Sequence, residues 1–312
     1  MNDWPEVPGP SPATEPALAA LLTRLRREHR DAVQAVLLYG SCLRSGDLFD
    51  GLVDLYLIVD SYRGAYGPRW LAAANWLLPP NVFYAQGEAD GRVLRSKVTV
   101  VSLADFRRGC SRRWYQSYLW GRFSQPVRIV HARDPATAAA VTECFRQAAT
   151  TLLGRALPAL PASGTLAGLW EQALALSYGT ELRTERPGRA RELVTAALPF
   201  YDAVTRQLAA DLPLALTLSG SGERCRYRTR VPASQRRLAP VAWGLRRFQG
   251  KLLSVARLVK ALFTFSGGLD YLAWKLERHS GEPIEVPPRV RRHPLLFSWG
   301  FFWRLYRRGV FR

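Results

Sequence analysis

The chain is poor in several residue types, and each scarcity argues against a class of protein. Its four cysteines are far apart and form no CxxC pair, so a zinc knuckle or dithiol redox motif is not expected. Its four histidines show no HxxxH spacing, and a histidine metal site or a Ser-His-Asp triad finds no support. No apolar run approaches the roughly 20 residues that span a bilayer, which argues against a transmembrane enzyme.

Lysine is scarce as well, although the chain is strongly basic. The 44 basic residues include four lysines (Lys97, Lys251, Lys260 and Lys275), and 25 acidic residues leave a net charge of +19. Such a charge attracts polyanions such as nucleotides, nucleic acid or anionic lipid. Because arginine is used throughout, a high arginine count does not by itself indicate arginine-specific chemistry. Widely spaced, reduced thiols predict a cytoplasmic location.

The pattern of apolar residues predicts an α/β unit followed by helices. Apolar, partly β-branched runs predict strands over 32–39, 53–59, 97–102 and 126–130, with helices over 16–28 and 69–78. After residue 135, helices are predicted over 136–153, 166–178, 189–212, 241–265 and 269–279. We therefore expect a flexible tail (1–16), a mixed-sheet domain with helices (17–135), a helical domain (136–288) and a basic aromatic segment (289–312).

The segment 289–312 combines seven arginines with seven aromatic residues and no carboxylate. Trp299, Phe302 and Trp303 fall on one predicted helical face, and Arg304, Arg307 and Arg308 lie away from it. This composition is typical of a helix lying in a membrane interface, with arginines on lipid phosphates. It predicts a protein held peripherally on an anionic membrane at its inner face. The alternative is a helix that packs on the protein's own core.

The segment with the most chemical information runs from Tyr39 to Asp60. One predicted strand ends in Gly40-Ser41, and the next presents Asp54 within an apolar run. An aspartate there is costly to bury unless it is paired or holds a metal. Gly40 allows the backbone to approach a phosphate closely, and Ser41 supplies a hydroxyl and an N–H. Asp54 is a predicted ligand of Mg²⁺, which bridges the oxygens of a triphosphate in phosphoryl transfer.

This arrangement resembles the nucleotidyltransferase superfamily of the DNA polymerase β type, in which Gly-Ser is followed by Asp-x-Asp. Tyr56 stands here in place of the second aspartate. One branch of the superfamily shares this departure, namely the mitochondrial-type phosphatidate cytidylyltransferases of the translocator-assembly-and-maintenance family. The chain resembles that branch in ordered blocks over roughly residues 35–280. The blocks are 39–41, 53–60, 81–84, 97–102, 114–127, 176–183 and 260–275.

The resemblance implies a polymerase-β-type fold and an enzyme that makes CDP-diacylglycerol and diphosphate from CTP and phosphatidic acid, with Mg²⁺ as cofactor. It implies catalytic, metal-binding roles for Asp54 and Glu181, with Asp60 as a third metal ligand. The implied nucleotide-binding residues are Gly40, Ser41, Lys97, Arg122, Arg183 and Arg189. Lys260 and Lys275 are expected to hold the lipid phosphate. Nucleic acid is not an expected partner, and the oligomeric state stays open.

Several of these roles have structural alternatives. Glu181 could instead be a surface residue paired with Arg183, and Asp60 could form an Asx turn with Ser61. The two lysines could extend along a helix edge toward solvent. At the level of function, the alternatives are another nucleotidyltransferase that acts on RNA or a small molecule, and a non-catalytic basic protein that binds lipid or nucleic acid.

Overall fold

A computed structural model describes residues 4–49, 51–182, 188–264, 284, 286–292, 300 and 303. The strands are β1 (Val33–Tyr39), β2 (Val53–Val59), β3 (Asn81–Ala89), β4 (Arg92–Ser102), β5 (Arg128–Ala132), β6 (Ser163–Thr165), β7 (Leu216–Ser219) and β8 (Arg226–Thr229). The helices are α1 (Glu15–His29), α2 (Ser41–Ser45), α3 (Tyr62–Ala65), α4 (Arg69–Leu77), α5 (Leu103–Cys110), α6 (Trp120–Phe123), α7 (Pro135–Ala156), α8 (Leu166–Tyr178), α9 (Arg189–Ala196), α10 (Leu198–Leu208), α11 (Ala233–Thr264) and α12 (Pro288–Arg292).

The larger sheet has the strand order β3-β4-β2-β1-β5. The pair β2 and β4 is parallel, and the other neighbours are antiparallel, so the sheet is mixed. Its central strand, β2, is buried on both faces because six of its seven residues are apolar or aromatic. The mixed sheet with helices that the sequence predicts is confirmed, and the predicted strand over 53–59 matches β2 residue for residue.

Each face of the sheet carries its own apolar core, as the alternation of side chains along a strand requires. One core contains Leu38, Leu55 and Leu57 and packs against α1. The other contains Leu37 and Tyr56 and continues without a break into α7, α8, α10 and the N-terminal half of α11. The apolar interior therefore extends across residue 135, where the sequence predicts a domain boundary.

The region after residue 135 is less purely helical than the sequence predicts. A three-stranded antiparallel sheet with the order β6-β8-β7 lies within it. The predicted helix over 189–212 is two helices, α9 and α10, which meet at Ala197. Pro199 explains the break, because proline is favoured in the first turn of a helix and disrupts its interior.

Helix α11 is the longest of the described helices, with 32 residues. It crosses the loop after α8 at Gly250, where a Cβ atom would overlap the carbonyl oxygen of Thr180. Glycine at this point lets the two backbones touch, directly beside Glu181. None of the helices among the described residues is both long and apolar enough to cross a bilayer.

Two glycines of α11 provide a matched test of this contact. Gly250→Ala should lower the free energy of unfolding by about 1–3 kcal/mol, because the added methyl group forces α11 away from Thr180. At Gly244, the place that a Cβ atom would take has no atom of the described residues within 4 Å. Gly244→Ala should therefore raise stability by about 0.5–1 kcal/mol through helix propensity. Urea denaturation of both variants measures the difference, and equal effects would contradict the close crossing.

Candidate functional site

The register of the sheet lines up four residues that are far apart in the sequence. Tyr39 lies opposite Asp54, Asp54 lies beside Lys97, and Lys97 lies opposite Tyr84. Residues in register on neighbouring strands point to the same face. All four are partly exposed, and Tyr39 and Asp54 lie at the adjoining ends of β1 and β2. The structure thus brings the predicted residues Asp54 and Lys97 together in one row.

Gly40 directly follows Tyr39 of this row, and both its backbone conformation and its lack of a side chain suit the contact with Asp54. Its φ of +93° and ψ of −159° belong to a region that only glycine adopts readily. A Cβ atom at this position would lie 2.9 Å from Oδ2 of Asp54. Gly40 therefore leaves room for the carboxylate, and exposed Ser41 begins α2 immediately afterwards. The arrangement places a glycine bend, a hydroxyl group and a carboxylate side by side.

Arg122 and Glu181 form an ion pair next to the row. Nη2 of Arg122 donates to both carboxylate oxygens of Glu181, at 3.0 and 3.2 Å. Its guanidinium carbon lies 4.4 Å from the ring centre of Tyr118 and 5.9 Å from that of Tyr39. Burial alone would lower the pKa of Arg122, but Glu181 and the nearby tyrosines raise it well above its ordinary value. Two blocks that are distant in sequence, 114–127 and 176–183, therefore meet beside Asp54's neighbour Tyr39.

Tyr56, which replaces the second carboxylate of the Asp-x-Asp pattern, is fully buried. Its ring packs edge-on against Phe123 at 4.8 Å and tilted against Tyr39 at 5.3 Å. Burial raises the pKa of Tyr56 well above its ordinary value, so it is a neutral phenol. Its hydroxyl oxygen lies 3.5 Å from Nη1 of Arg122, so Tyr56 packs beside the pair of Arg122 and Glu181.

The structure does not bring Asp60 together with Asp54. Asp60 follows the last residue of β2, six residues beyond Asp54, or about 20 Å along an extended strand. Its carboxylate accepts a hydrogen bond from the backbone N–H of Ser61, and the Ser61 side chain caps α3. Asp60 therefore contacts Ser61 as the alternative expects, although the bond reaches the next residue and not the residue two positions on, as an Asx turn would.

Arg189 lies near Arg44 and not in the row. As the first residue of α9, it pairs with Glu192 at 3.3 Å. Burial lowers the pKa of Arg44, and the positive charge of Arg189 lowers it further. Arg44 belongs to α2, three residues after Ser41. The predicted residues Arg183, Lys275, Trp299, Phe302, Arg304, Arg307 and Arg308 lie outside the described residues. Of the predicted membrane face, Trp303 is described, and it is exposed.

Lys260 binds protein carbonyls in this structure. Its Nζ donates to the carbonyl oxygens of Leu78 and, at 2.7 Å, Pro80, and so fastens α11 to the loop before β3. Burial, together with the positive charge of Arg257, lowers the pKa of Lys260 to about 8. The ammonium group therefore has a structural task in addition to the lipid-phosphate role that the sequence predicts.

Arg257 is not among the residues that the sequence predicts for the site, yet it reaches the same region. Its Nη2 donates to the Gln116 side chain at 3.0 Å, and its guanidinium carbon lies 4.4 Å from the Tyr118 ring centre, as does that of Arg122. Burial lowers the pKa of Arg257, and its buried Nη1 has no hydrogen-bond partner among the described residues. With forty arginines in the chain, no sequence signal distinguishes this one.

The described residues fit Mg²⁺ only in part. Asp54 is a hard oxygen donor, and Mg²⁺ at nucleotide sites is usually held by one or two carboxylates together with substrate phosphates. Among the described residues, no group of three or more His, Cys, Asp or Glu side chains could hold a metal ion by itself. Asp54 thus suits an ion that arrives with a triphosphate.

Comparison with known proteins shows a distant likeness to solved structures. No family model matches the sequence, and no curated protein matches it. Among solved structures, the chain is similar to a nucleotidyltransferase-like protein from Exiguobacterium sibiricum, with 14% sequence identity and a TM-score of 0.26. The alignment covers 93% of this chain and 91% of the other. At this TM-score, the likeness carries no argument about function, which is inferred from the site residues below.

The contact between Gly40 and Asp54 can be tested by a double-mutant cycle. Gly40→Ala should lower the free energy of unfolding by about 2–4 kcal/mol, from backbone strain and from the clash with the Asp54 carboxylate. In an Asp54→Ala background the clash disappears, and the loss should shrink by at least about 1 kcal/mol. Gly46→Ala, where φ is +74° and a Cβ atom would meet no described atom within 4 Å, controls for strain alone. If Gly40→Ala lowered the free energy of unfolding equally with and without the Asp54 carboxylate, the contact between Gly40 and Asp54 would be contradicted.

The lowered pKa of Lys260 predicts a pH dependence of stability. Between its folded pKa of about 8 and the ordinary lysine value of 10.5, the unfolded chain holds more protons at this group than the folded chain does. The free energy of unfolding of the parent protein should therefore rise, relative to that of Lys260→Met, as pH increases through this window. Urea denaturation from pH 7 to pH 10 measures it, with Lys251→Met on the same helix as control. Parallel curves for parent and Lys260→Met would contradict the shift.

Proposed function

We propose that this protein is a nucleotidyltransferase that transfers a cytidylyl group from CTP to phosphatidic acid, with Mg²⁺ bound to the nucleotide. The observation that carries the proposal is the row in which Asp54 and Lys97 stand beside the Gly40-Ser41 bend. A carboxylate for a metal, a cation for phosphate charge and a bend that admits a phosphate are the groups that such a transfer needs.

In the proposed reaction, a phosphate oxygen of phosphatidic acid attacks the α-phosphorus of CTP. The new oxygen–phosphorus bond forms as the bond from the α-phosphorus to the bridging oxygen breaks, and diphosphate leaves with that oxygen. No protein nucleophile is required, so the residues act by positioning and by charge. A bound Mg²⁺, held by Asp54 and the triphosphate, would neutralise phosphate charge.

The surrounding side chains have separate tasks in this proposal. Gly40 and Ser41 contact the phosphates, and Lys97 balances their charge from the neighbouring strand. Arg122 is held in place by Glu181, so that its fork is oriented before a phosphate arrives. Glu181 is thus proposed as a positioning residue for Arg122, and its role as a metal ligand stays a prediction.

The lipid substrate and the membrane follow from the sequence resemblance and are proposed on that basis. Phosphatidic acid is an anionic lipid, and a protein of net charge +19 is attracted to a surface that contains it. We propose that the enzyme works peripherally at the inner face of a membrane, where the basic aromatic segment 289–312 contributes to attachment.

Asp54 in β2 and Asp60 just after its last residue provide a matched test of the reaction. With labelled CTP, phosphatidic acid vesicles and Mg²⁺, the parent protein should form labelled CDP-diacylglycerol. Asp54→Asn should reduce the rate by about 100-fold or more, because it removes the charge that holds the metal and the triphosphate. Asp60→Asn should retain the rate, since an asparagine oxygen still accepts the bond from Ser61.

Three outcomes would contradict the proposal. An equal loss of turnover in Asp54→Asn and Asp60→Asn would show that the row is not the reacting site. Product formation without added divalent ions would contradict the proposed role of Mg²⁺. Label transferred to RNA or to a small hydroxyl compound, and not to phosphatidic acid, would place the protein in another class of nucleotidyltransferase.

A further inference from the structure

The outward face of α11 carries a continuous line of exposed apolar side chains. Each is between 46% and 72% exposed, although large aliphatic and aromatic groups gain free energy when they leave water. We call this line the α11 seam, and it consists of Leu238, Val241, Leu245, Phe248, Leu252, Val255 and Val259. Exposed apolar patches of this extent mark interaction surfaces in proteins.

The inner face of the same helix has the opposite character. Nε of Arg246 donates to the Tyr115 carbonyl at 3.2 Å, Nε of Arg257 donates to the Pro79 carbonyl at 2.9 Å, and Lys260 binds the loop before β3. The helix is therefore attached to its own domain through charged side chains, with Trp243 as an apolar anchor near its start. Among the described residues, no element covers the apolar seam, whose side chains are exposed.

The spacing of the seam indicates which kind of surface covers it. Successive members are separated by three, four, three, four, three and four residues, which is the heptad spacing of helices that pack in coiled coils. A stripe confined to these positions is the narrow seam of paired helices, whereas a helix that packs on a broader apolar surface carries a wider apolar face. The seam spans 21 residue steps, or about 32 Å at 1.5 Å per residue.

The residues that flank the seam also favour a helix over a lipid surface. They are Arg237, Ala242, Gly244, Gln249, Lys251, Ala256 and Leu258. Two of these seven are charged, whereas helices that lie in membranes typically carry rows of lysine and arginine beside the apolar face. Small flanking residues let two helices approach closely. Because few of the flanking residues are charged, two copies of this helix would not repel each other strongly along the seam.

We propose that the α11 seam packs against the same seam of a second copy of this chain, so that the protein associates through a pair of α11 helices. The interface is isologous, since each copy contributes the same seven side chains. This inference stands on the helix alone and does not depend on the proposed function.

The mass of the full-length chain in solution tests this interface. Light scattering after size exclusion should give twice the 35.0 kDa of one chain for the parent protein. Phe248→Glu places a charge at the middle of the seam and should weaken association by at least about tenfold. Trp76→Glu makes the same chemical change at a residue that is 72% exposed on α4, outside the seam, and should leave the mass unchanged. Circular dichroism confirms that both variants are folded.

Cross-linking gives an independent test. The four native cysteines are buried, so an introduced surface thiol reports on its own surroundings. Phe248 lies midway along the seam, and two fully overlapped helices bring this position close to its counterpart in either relative direction. Phe248→Cys should therefore form a disulfide-linked dimer under mild oxidation, and Trp76→Cys should not.

A monomeric parent protein, or equal dissociation by Phe248→Glu and Trp76→Glu, would overturn the proposal. A monomeric parent that sediments with phosphatidic acid vesicles, and loses this binding in Phe248→Glu, would show that the seam meets a membrane. Failure of CTP turnover in a protein that still dimerises would count against the proposed function and not against the interface.

Discussion

The site depends on one constraint, which is that a carboxylate on the central, apolar strand of the sheet must be compensated by the residues around it. Asp54 lies in β2, whose other side chains are apolar or aromatic, and burying a carboxylate there without compensation is costly. The structure responds with a cation in register on β4, a glycine whose missing side chain leaves space for Oδ2, and partial exposure to solvent. These three features accommodate a carboxylate in a strand whose other six residues are buried.

Tyr56, at the position of the second carboxylate in the Asp-x-Asp pattern that the sequence resembles, belongs to the same arrangement. A charge at position 56 would lie deep in the core, in contact with Phe123, where no solvent reaches it. A neutral phenol fits this place, fills its volume and presents an oxygen to Arg122. The negative charge that faces Arg122 comes from Glu181 instead, on a different element and in a half-exposed position. The site therefore separates its carboxylates in space, whereas an Asp-x-Asp strand concentrates them.

Local apolar patterns predict four of the five strands of the larger sheet and not β3 (Asn81–Ala89), while contacts between distant segments decide the rest. The run 53–59 is apolar and β-branched, and it forms β2 as predicted. No apolar run predicts β8, because exposed Arg226 and Arg228 alternate with buried Tyr227 and Thr229. The approach of Arg122 to Glu181 depends on the packing of α6 against α8 at Gly121, which no local pattern encodes.

Helix α11 connects the candidate site to the outer surface, because its inner face contacts the neighbourhood of that site. Gly250 touches the residue before Glu181, and Arg257 lies over the same Tyr118 ring as Arg122. Hydrogen bonds from Arg246 and Arg257 to carbonyls attach the helix there, in addition to the buried side chain of Trp243. In the proposed pair, a partner on the outer seam would add contacts to the helix that lies beside Arg122 and Glu181.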